Sequence, residues 1–463
     1  MMLTVLTTDR ERDCAGLSRR DFIRAGALSL GGLTLPAHLR TKASALASAQ
    51  PEFVRDKSVV LLFLGGGASH IETFDPHMDA PDGVRSVTGE VRTTLPGVTF
   101  GGTFPRLARH AHRMAVVRSF QHSVNDHARA IQHVLTAGHP EAISMGSFYA
   151  RLRGSHHVDS GLPTYGLLTA EEVDRQYLKE RKRVQIGSAP GSLGPGYGPF
   201  DPAGGGPMLR NMKLEISRRR LSDRGSLLTA LDQLKRQLDG SRGIDAVDGH
   251  HQRAIDLILR GAGDAFDLSK EDPKLVERYD TSGYRVGKAT FRNSVLGRQL
   301  LLARRMCEAG CGFVTVQSAG WDMHADGNNP GMAAGMEMLG PPLDQAVSTF
   351  LEDVADRGLS EKILLVITGD FGRTPQLNNR GGRDHWANLG TLAFAGGGLK
   401  MGQVIGTSSR KADVPRSNPI TPQHLMATLM HTLFDVGQLR VQRGIPTSLL
   451  NDINRGEPIE ELF

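Results

Sequence analysis

Two short segments place carboxylate and imidazole side chains at spacings that suit a bound cation. In Trp321-Asp322-Met323-His324 the acid and the imidazole are two residues apart. In extended backbone such residues project to the same side, so Asp322 and His324 can converge on one ion. Farther along, Asp370 opens the run Asp370-Phe371-Gly372-Arg373-Thr374-Pro375, and Gly382-Arg383-Asp384-His385-Trp386 follows it. Asp322, His324, Asp370 and His385 make a hard-to-borderline oxygen and nitrogen donor set, suited to zinc, manganese or calcium. Arg373 and Arg383 have two readings, either bidentate binding of a phosphate or sulfate or ion pairs that orient the carboxylates.

Two more polar clusters precede these. The segment Gly65-Gly66-Gly67-Ala68-Ser69-His70-Ile71-Glu72-Thr73-Phe74-Asp75-Pro76 has glycines that let backbone N–H groups approach an anion, and Ser69 and His70 add a hydroxyl and an imidazole. A glycine-rich turn of this kind is also common as plain structure. The segment Arg118-Ser119-Phe120-Gln121-His122-Ser123-Val124-Asn125-Asp126-His127 leads into a predicted helix that starts near Ser123 or Asn125. Its first amides favour an anion, with His122, Ser123 and His127 beside them. The alternative is a surface helix capped by Ser or Asn.

Short β-branched runs precede all four clusters: Ser58 to Leu64, Met114 to Val117, Gly312 to Gln317 and Ile363 to Thr368, with Thr391 to Ala395 beyond. Apolar residues at helical spacing fill Val295 to Ala309 and Leu343 to Val354, and Gly310 and Gly358 mark the helix ends. This alternation predicts an α/β fold, a doubly wound, mostly parallel central sheet flanked by helices. In such sheets ligands bind outside the carboxyl ends of the strands, where the clusters fall. From Asp159 to about Asp248, glycine- and proline-rich loops and a charged stretch, Leu214 to Leu238, read as an inserted cap or lobe.

The chain has 463 residues, 39% hydrophobic, enough for a sizeable core. Its formal charge is +6, but the first 49 residues hold seven Lys/Arg against four Asp/Glu, leaving about +3 on the rest. No nucleic-acid footprint follows from so small an excess, and no apolar run reaches the roughly 18 residues of a membrane span. Ser18-Arg19-Arg20-Asp21-Phe22, a weakly apolar stretch from Ala25 to Ala37, and Ala47-Ser48-Ala49 form the pattern of a twin-arginine (Tat) export signal. Residues 1–49 are therefore set apart as a signal peptide and 50–463 as the folded domain. The predicted location is the periplasm or another exported site, with the Tat translocase as partner during export. Cys307 and Cys311 remain in the mature part, and two packed free thiols are expected.

Taken together, the motifs Gly-Gly-Gly-Ala-Ser-His-x-Glu-Thr-Phe-Asp-Pro, Arg-Ser-Phe-x-His, Gly-Trp-Asp-x-His, Asp-Phe-Gly-Arg-Thr-Pro and Gly-Arg-Asp-His-Trp resemble the DUF1501 family of the alkaline phosphatase/sulfatase superfamily. The resemblance runs from about Ser58 to the Asp435 region. It implies an alkaline phosphatase-like core and metal-dependent hydrolase or phosphotransferase chemistry. It also implies that Asp322, His324, Asp370 and His385 stand at metal-ligand positions, with Ser123 or Ser119 as candidate nucleophile. The chain departs from the superfamily pattern in four places, one of them the spacing of Asp322 and His324, which is shorter than the superfamily's. Gly66, Gly67 and Ala68 stand where a metal-binding Asp is expected, Phe371 follows Asp370 in place of His, and the sulfatase Cys-x-Pro-x-Arg sequence is absent.

The leading expectation is hydrolysis of a sulfate or phosphate ester, on a small molecule or a polysaccharide. One divalent metal polarises the ester while Ser123 or an activated water attacks, and His127 or His70 serves as general acid or base. Ser69, His122, Arg373 and Arg383 are the candidate substrate contacts. The rival expectation is a catalytically silent relative that binds a glycan or a protein partner in the same cleft. A nicotinamide or flavin enzyme is disfavoured, since Gly65-Gly66-Gly67 lacks the G-x-G-x-x-G spacing.

Overall fold

Seven strands build the central sheet in a computed structural model that describes residues 52–169, 177–202, 263–288, 290–327 and 329–463. They are β1 (Ser58–Gly65), β2 (Met114–Val117), β3 (Tyr165–Leu168), β4 (Phe313–Ala319), β5 (Ile363–Gly369), β6 (Leu392–Gly396) and β7 (Gln403–Ile405), in the order β7-β2-β6-β5-β1-β4-β3. All neighbouring pairs are parallel except those of β6, which runs antiparallel to β2 and β5. Glu52–Phe463 forms one compact unit.

The central strands are uninterrupted apolar runs because both of their faces are covered. Along β1, Val60, Leu62 and Leu64 enter one core cluster, while Val59, Leu61 and Phe63 enter the other, as a two-residue side-chain period requires. The named helices are α1 (His70–Thr73), α2 (His127–Leu135), α3 (Met145–Arg153), α4 (Leu178–Gly187), α5 (Leu296–Glu308), α6 (Met332–Asp356) and α7 (Pro422–Leu433). The first cluster packs on α5 and α6 through Leu300, Met306, Met336 and Leu343. The second packs on α2, α3 and α7 through Ile131, Phe148 and Leu429. Helices on both faces of a mostly parallel sheet are the α/β architecture read from the sequence.

Register brings the loops together. Gly65 lies opposite Ala319, Leu64 opposite Gly369, and Leu392 opposite both Thr368 and Val117. The chain therefore leaves β1, β2, β4 and β5, and enters the antiparallel β6, along one rim. Every polar cluster picked out above starts or ends there.

Differences from the sequence reading have local causes. Helix α6 begins at Met332 and runs through Pro341 and Pro342. Each proline removes a hydrogen bond from the helix, yet burial of Met332, Met336, Leu339, Leu343 and Val347 along one stripe carries it through. Tyr165–Leu168, inside the stretch expected to be an insert, is the edge strand of the sheet. Its four residues are too few to give a clear period. The rest of that stretch is described only in part, since residues 170–176 and 203–262, with Leu214 to Leu238, lie outside the described residues, as do residues 1–49, where a signal peptide is expected. Among the described residues no helix is long and apolar enough to cross a membrane. Cys307 and Cys311 are free thiols, and burial pushes Cys307 up to about 12.

Candidate metal centre

At the common rim, His127, Asp322, His324 and His385 each offer one ligand atom, and these four atoms lie within 4.8 Å of one another. The Nε2 atoms of His324, His127 and His385 stand 3.0, 3.5 and 3.7 Å from Asp322 Oδ1. Donors 2.0–2.1 Å from a tetrahedral ion are separated by about 3.3 Å, so the observed spacings bracket that geometry.

Each ring is braced from behind. Nδ1 of His127 meets Asp370 Oδ2 at 2.6 Å, Nδ1 of His324 meets Asp384 Oδ1 at 3.0 Å, and Nδ1 of His385 meets the Asn125 carbonyl at 2.8 Å. Carboxylates and carbonyls accept, so each Nδ1 is the donor, and a neutral ring then directs its Nε2 lone pair inward. This is the arrangement of metal-ligating histidines held by outer partners. Nε2 of His127 and of His385 are buried without a hydrogen-bond partner, a costly state for polar nitrogens that a cation would relieve.

Electrostatics point the same way. Burial works against protonation of His127, but the neighbouring carboxylates of Asp322 and Asp370 outweigh it and push the imidazole up to about 9, so that without an ion a proton takes that place. For Asp322 burial is again opposed and outweighed, here by His127, His324, His385 and Arg373, which hold the carboxyl well below its usual range. Two carboxylates thus demand positive charge at the point where the three rings meet.

The fold supplies this geometry locally. His127 is the first residue of α2, capped by Asp126, whose side chain accepts from the Arg129 N–H. Asp322 and His324 follow β4 in an irregular loop, and a two-residue ladder pairs Arg373 with His385. Asp370, at the end of β5, stands outside the group of four. Its Oδ1 accepts from the N–H groups of Gly66 and Gly67 at 2.9 and 3.0 Å, and Oδ2 is the anchor of His127. The glycine turn after β1 therefore cradles an anion that belongs to the protein. Gly66 has φ +109, and a Cβ there would sit 2.6 Å from the Asp322 nitrogen, so the turn admits no side chain.

The other candidates occupy varied settings. Ser69 caps α1, accepting from Glu72 N at 3.4 Å. His122 lies beside the group, its Nε2 donating to the Asp370 carbonyl at 2.6 Å. Ser123 is exposed and lines a neighbouring surface cavity of about 430 Å³ with Asn125, Arg129, Gln132 and His133. Arg373 is buried and bonded to Asp322 at 2.6 Å. Arg383 is buried against Glu72 at 3.0 Å. His70 is buried with Nε2 on the Ala412 carbonyl at 2.9 Å. Asn125 entered the sequence reading only as a helix start or cap and Asp384 only as the neighbour of His385, neither with a site role, although Asn125 stands two residues before His127.

Burial pushes His70 down to about 4, which yields a prediction. A histidine whose folded value lies below its unfolded 6.5 contributes stability above pH 6.5 and loses it as pH falls toward 4, here about 3 kcal/mol. Thermal melts of wild type and His70→Gln across pH 4–7 check this: the wild type should lose stability more steeply, and parallel curves would refute it.

The model described as "Protein of unknown function (DUF1501)" matches residues 56–463. No curated protein matches the chain in sequence. Among solved structures, the lipoteichoic acid synthase LtaP from Listeria monocytogenes is 10% identical, with 89% of this chain and 81% of that one covered at a TM-score of 0.38. The phosphonate monoester hydrolase SpPMH from Silicibacter pomeroyi is 10% identical over 87% and 76% of the two chains, TM-score 0.39. The PsFucS1 sulfatase from Pseudoalteromonas sp. is 11% identical over 85% and 71%, TM-score 0.35.

Proposed function

The chain thus belongs to the DUF1501 family, and from its group of four we propose that it is an exported, divalent-cation-dependent hydrolase of sulfate or phosphate esters. The observation that carries this reading is the inward convergence of three braced imidazoles on one carboxylate oxygen, with two Nε2 atoms lacking any other partner. In it His127, Asp322, His324 and His385 hold the ion, while Asp370, Asp384 and the Asn125 carbonyl fix the rings. Three nitrogen donors favour zinc over calcium, which prefers all-oxygen shells. When bound, such an ion polarises an ester oxygen and eases deprotonation of water.

The chain's own residues define the remaining roles. Arg373 sets a permanent positive charge beside Asp322, at the point where ester anions would approach. Ser123, exposed on the turn before α2, offers a hydroxyl nucleophile in competition with water. His70 is already committed to Ala412 and kept neutral by burial, which suits a structural part better than proton transfer. The substrate is a small-molecule or polysaccharide ester. Export rests on Arg19-Arg20 and Ala47-Ser48-Ala49, with passage through the Tat translocase to the periplasm.

Removal of the ion is the direct test. Protein purified with its metal should contain about one equivalent by elemental analysis, lose hydrolysis of aryl phosphates or aryl sulfates on chelation, and recover it with zinc or manganese. Full activity after complete demetallation sinks the proposal. The setting of Ser123 in a separate cavity favours a second reading, a catalytically silent relative that binds a glycan or protein partner. Stoichiometric metal without turnover on either ester panel, together with tight glycan binding, supports that reading instead.

A further inference from the structure

Arg373 has five N–H bonds, and the structure accounts for all of them. Nε donates to the Gly67 carbonyl at 2.8 Å, one Nη1–H to the Arg383 carbonyl at 3.1 Å, and one Nη2–H to the Gly66 carbonyl. These three carbonyls pin the guanidinium, whose side chain is 0% exposed. One N–H remains on each terminal nitrogen, and both face the group of four: Nη2 donates to Asp322 Oδ1 at 2.6 Å and Nη1 to His324 Nε2 at 3.2 Å. Phe371, buried with its ring 5.7 Å from the guanidinium and 4.8 and 4.5 Å from the rings of His127 and His385, walls one side.

The bond to His324 is the informative one. Because the Nδ1–H of His324 is given to Asp384, the neutral ring has a single lone pair at Nε2. That lone pair can accept from Arg373 or bind a cation, but not both. We propose that Arg373 is a cation-gated clamp for tetrahedral oxyanions: an ion seated among His127, Asp322, His324 and His385 takes the His324 lone pair and so releases Nη1–H, which then grips an oxygen of a phosphate or sulfate group, while Nη2–H stays on Asp322 Oδ1, a carboxylate oxygen that can bind an ion and accept a hydrogen bond at once. This inference rests on the reading of those four residues as a cation site.

The physical case has three parts. The guanidinium is held in place by bonds that the cation does not touch, so release costs no reorganisation of the side chain. The freed donor belongs to a pinned, permanently charged guanidinium, so its bond to an oxygen of a phosphate or sulfate is charge-assisted. The same Nη1–H, while bonded to His324, is occupied and cannot serve an anion. Cation and anion binding are therefore coupled, and each tightens the other by the same factor.

The test measures inorganic phosphate binding by calorimetry to four samples: wild type with zinc, wild type stripped of metal, and Arg373→Lys with and without zinc. Zinc content is read separately by elemental analysis and folding by thermal melts. The expected result is phosphate binding at least tenfold tighter to zinc-loaded than to stripped wild type. Arg373→Lys should keep one equivalent of zinc and bind phosphate at least tenfold more weakly than loaded wild type, since an ammonium is a point charge without a fork. If the Lys variant fails to fold, the two wild-type samples decide alone. Equal phosphate affinity in loaded and stripped wild type overturns the clamp, as does a folded, zinc-loaded Lys variant with unchanged phosphate affinity. A wild type that takes up no zinc overturns the cation site and the clamp with it, whereas zinc uptake without coupled phosphate binding overturns the clamp alone.

Discussion

Asp322→Asn abolishes stoichiometric cation binding and lowers ester hydrolysis by about a thousandfold or more, while the protein still folds. The substitution keeps the side chain's volume and removes the charge on which His127, His324 and His385 all converge. A neutral amide oxygen is a poor ligand for a divalent ion, and Arg373 next to it would be left without its carboxylate partner. Asp370→Asn supplies the comparison. It strips His127 of its brace but leaves all four ligand atoms in place, so affinity should fall by about 10–100-fold, the usual cost of losing an outer partner. Titrations of zinc into both variants give the ranking. If Asp370→Asn proves as severe as Asp322→Asn, the division between ligand and brace drawn here is wrong, and Asp370 returns to the ligand set.

Arg383→Met should lower the stability of the fold by about 3–5 kcal/mol, the cost of leaving a buried ion without its partner. Both side chains of the Arg383 and Glu72 pair are 0% exposed. Arg383 also donates to the carbonyls of Val84, Arg85 and Thr374 at 3.0, 3.1 and 3.3 Å, and Glu72 accepts from Ser86 Oγ at 2.6 Å and Val87 N at 3.1 Å. The guanidinium thus rivets the segment after α1 to the loop that carries Asp384 and His385. The double variant Glu72→Gln with Arg383→Met should recover part of the loss, because no uncompensated charge then remains buried. Denaturant unfolding at fixed metal content measures all three proteins. An Arg383→Met protein with wild-type stability and weakened phosphate binding would instead make Arg383 a substrate contact.

The scaffold was legible because its signals are local and strong. Ser58 to Leu64 reads as a doubly covered strand by composition alone, and Gly310 and Gly358, both left-handed at +100° and +67°, stop α5 and α6 where the sequence suggests. Asp322 and His324 were legible as a pair because they stand only two residues apart. What the sequence could not reveal is which partner each group meets across the rim. The Gly66-Gly67 amides looked like a cradle for a ligand, and only the register of β1 against β5 brings Asp370 into them. Asp370 and His127 both looked chemically active, and a contact across 243 positions decides which of them faces the other three. The two readings of Arg373 were equally open in sequence because the carbonyls that pin it come from residues 66, 67 and 383.

The four grouped side chains come from positions 127, 322, 324 and 385, carried on loops after β2 and β4 and before β6. No fragment that ends before His385 contains the whole constellation. An ion with nanomolar affinity for the finished structure and little for the nascent chain would act as a late latch, adding RT ln(1 + [ion]/Kd) to the stability of the fold only once the segment carrying His385 is in place.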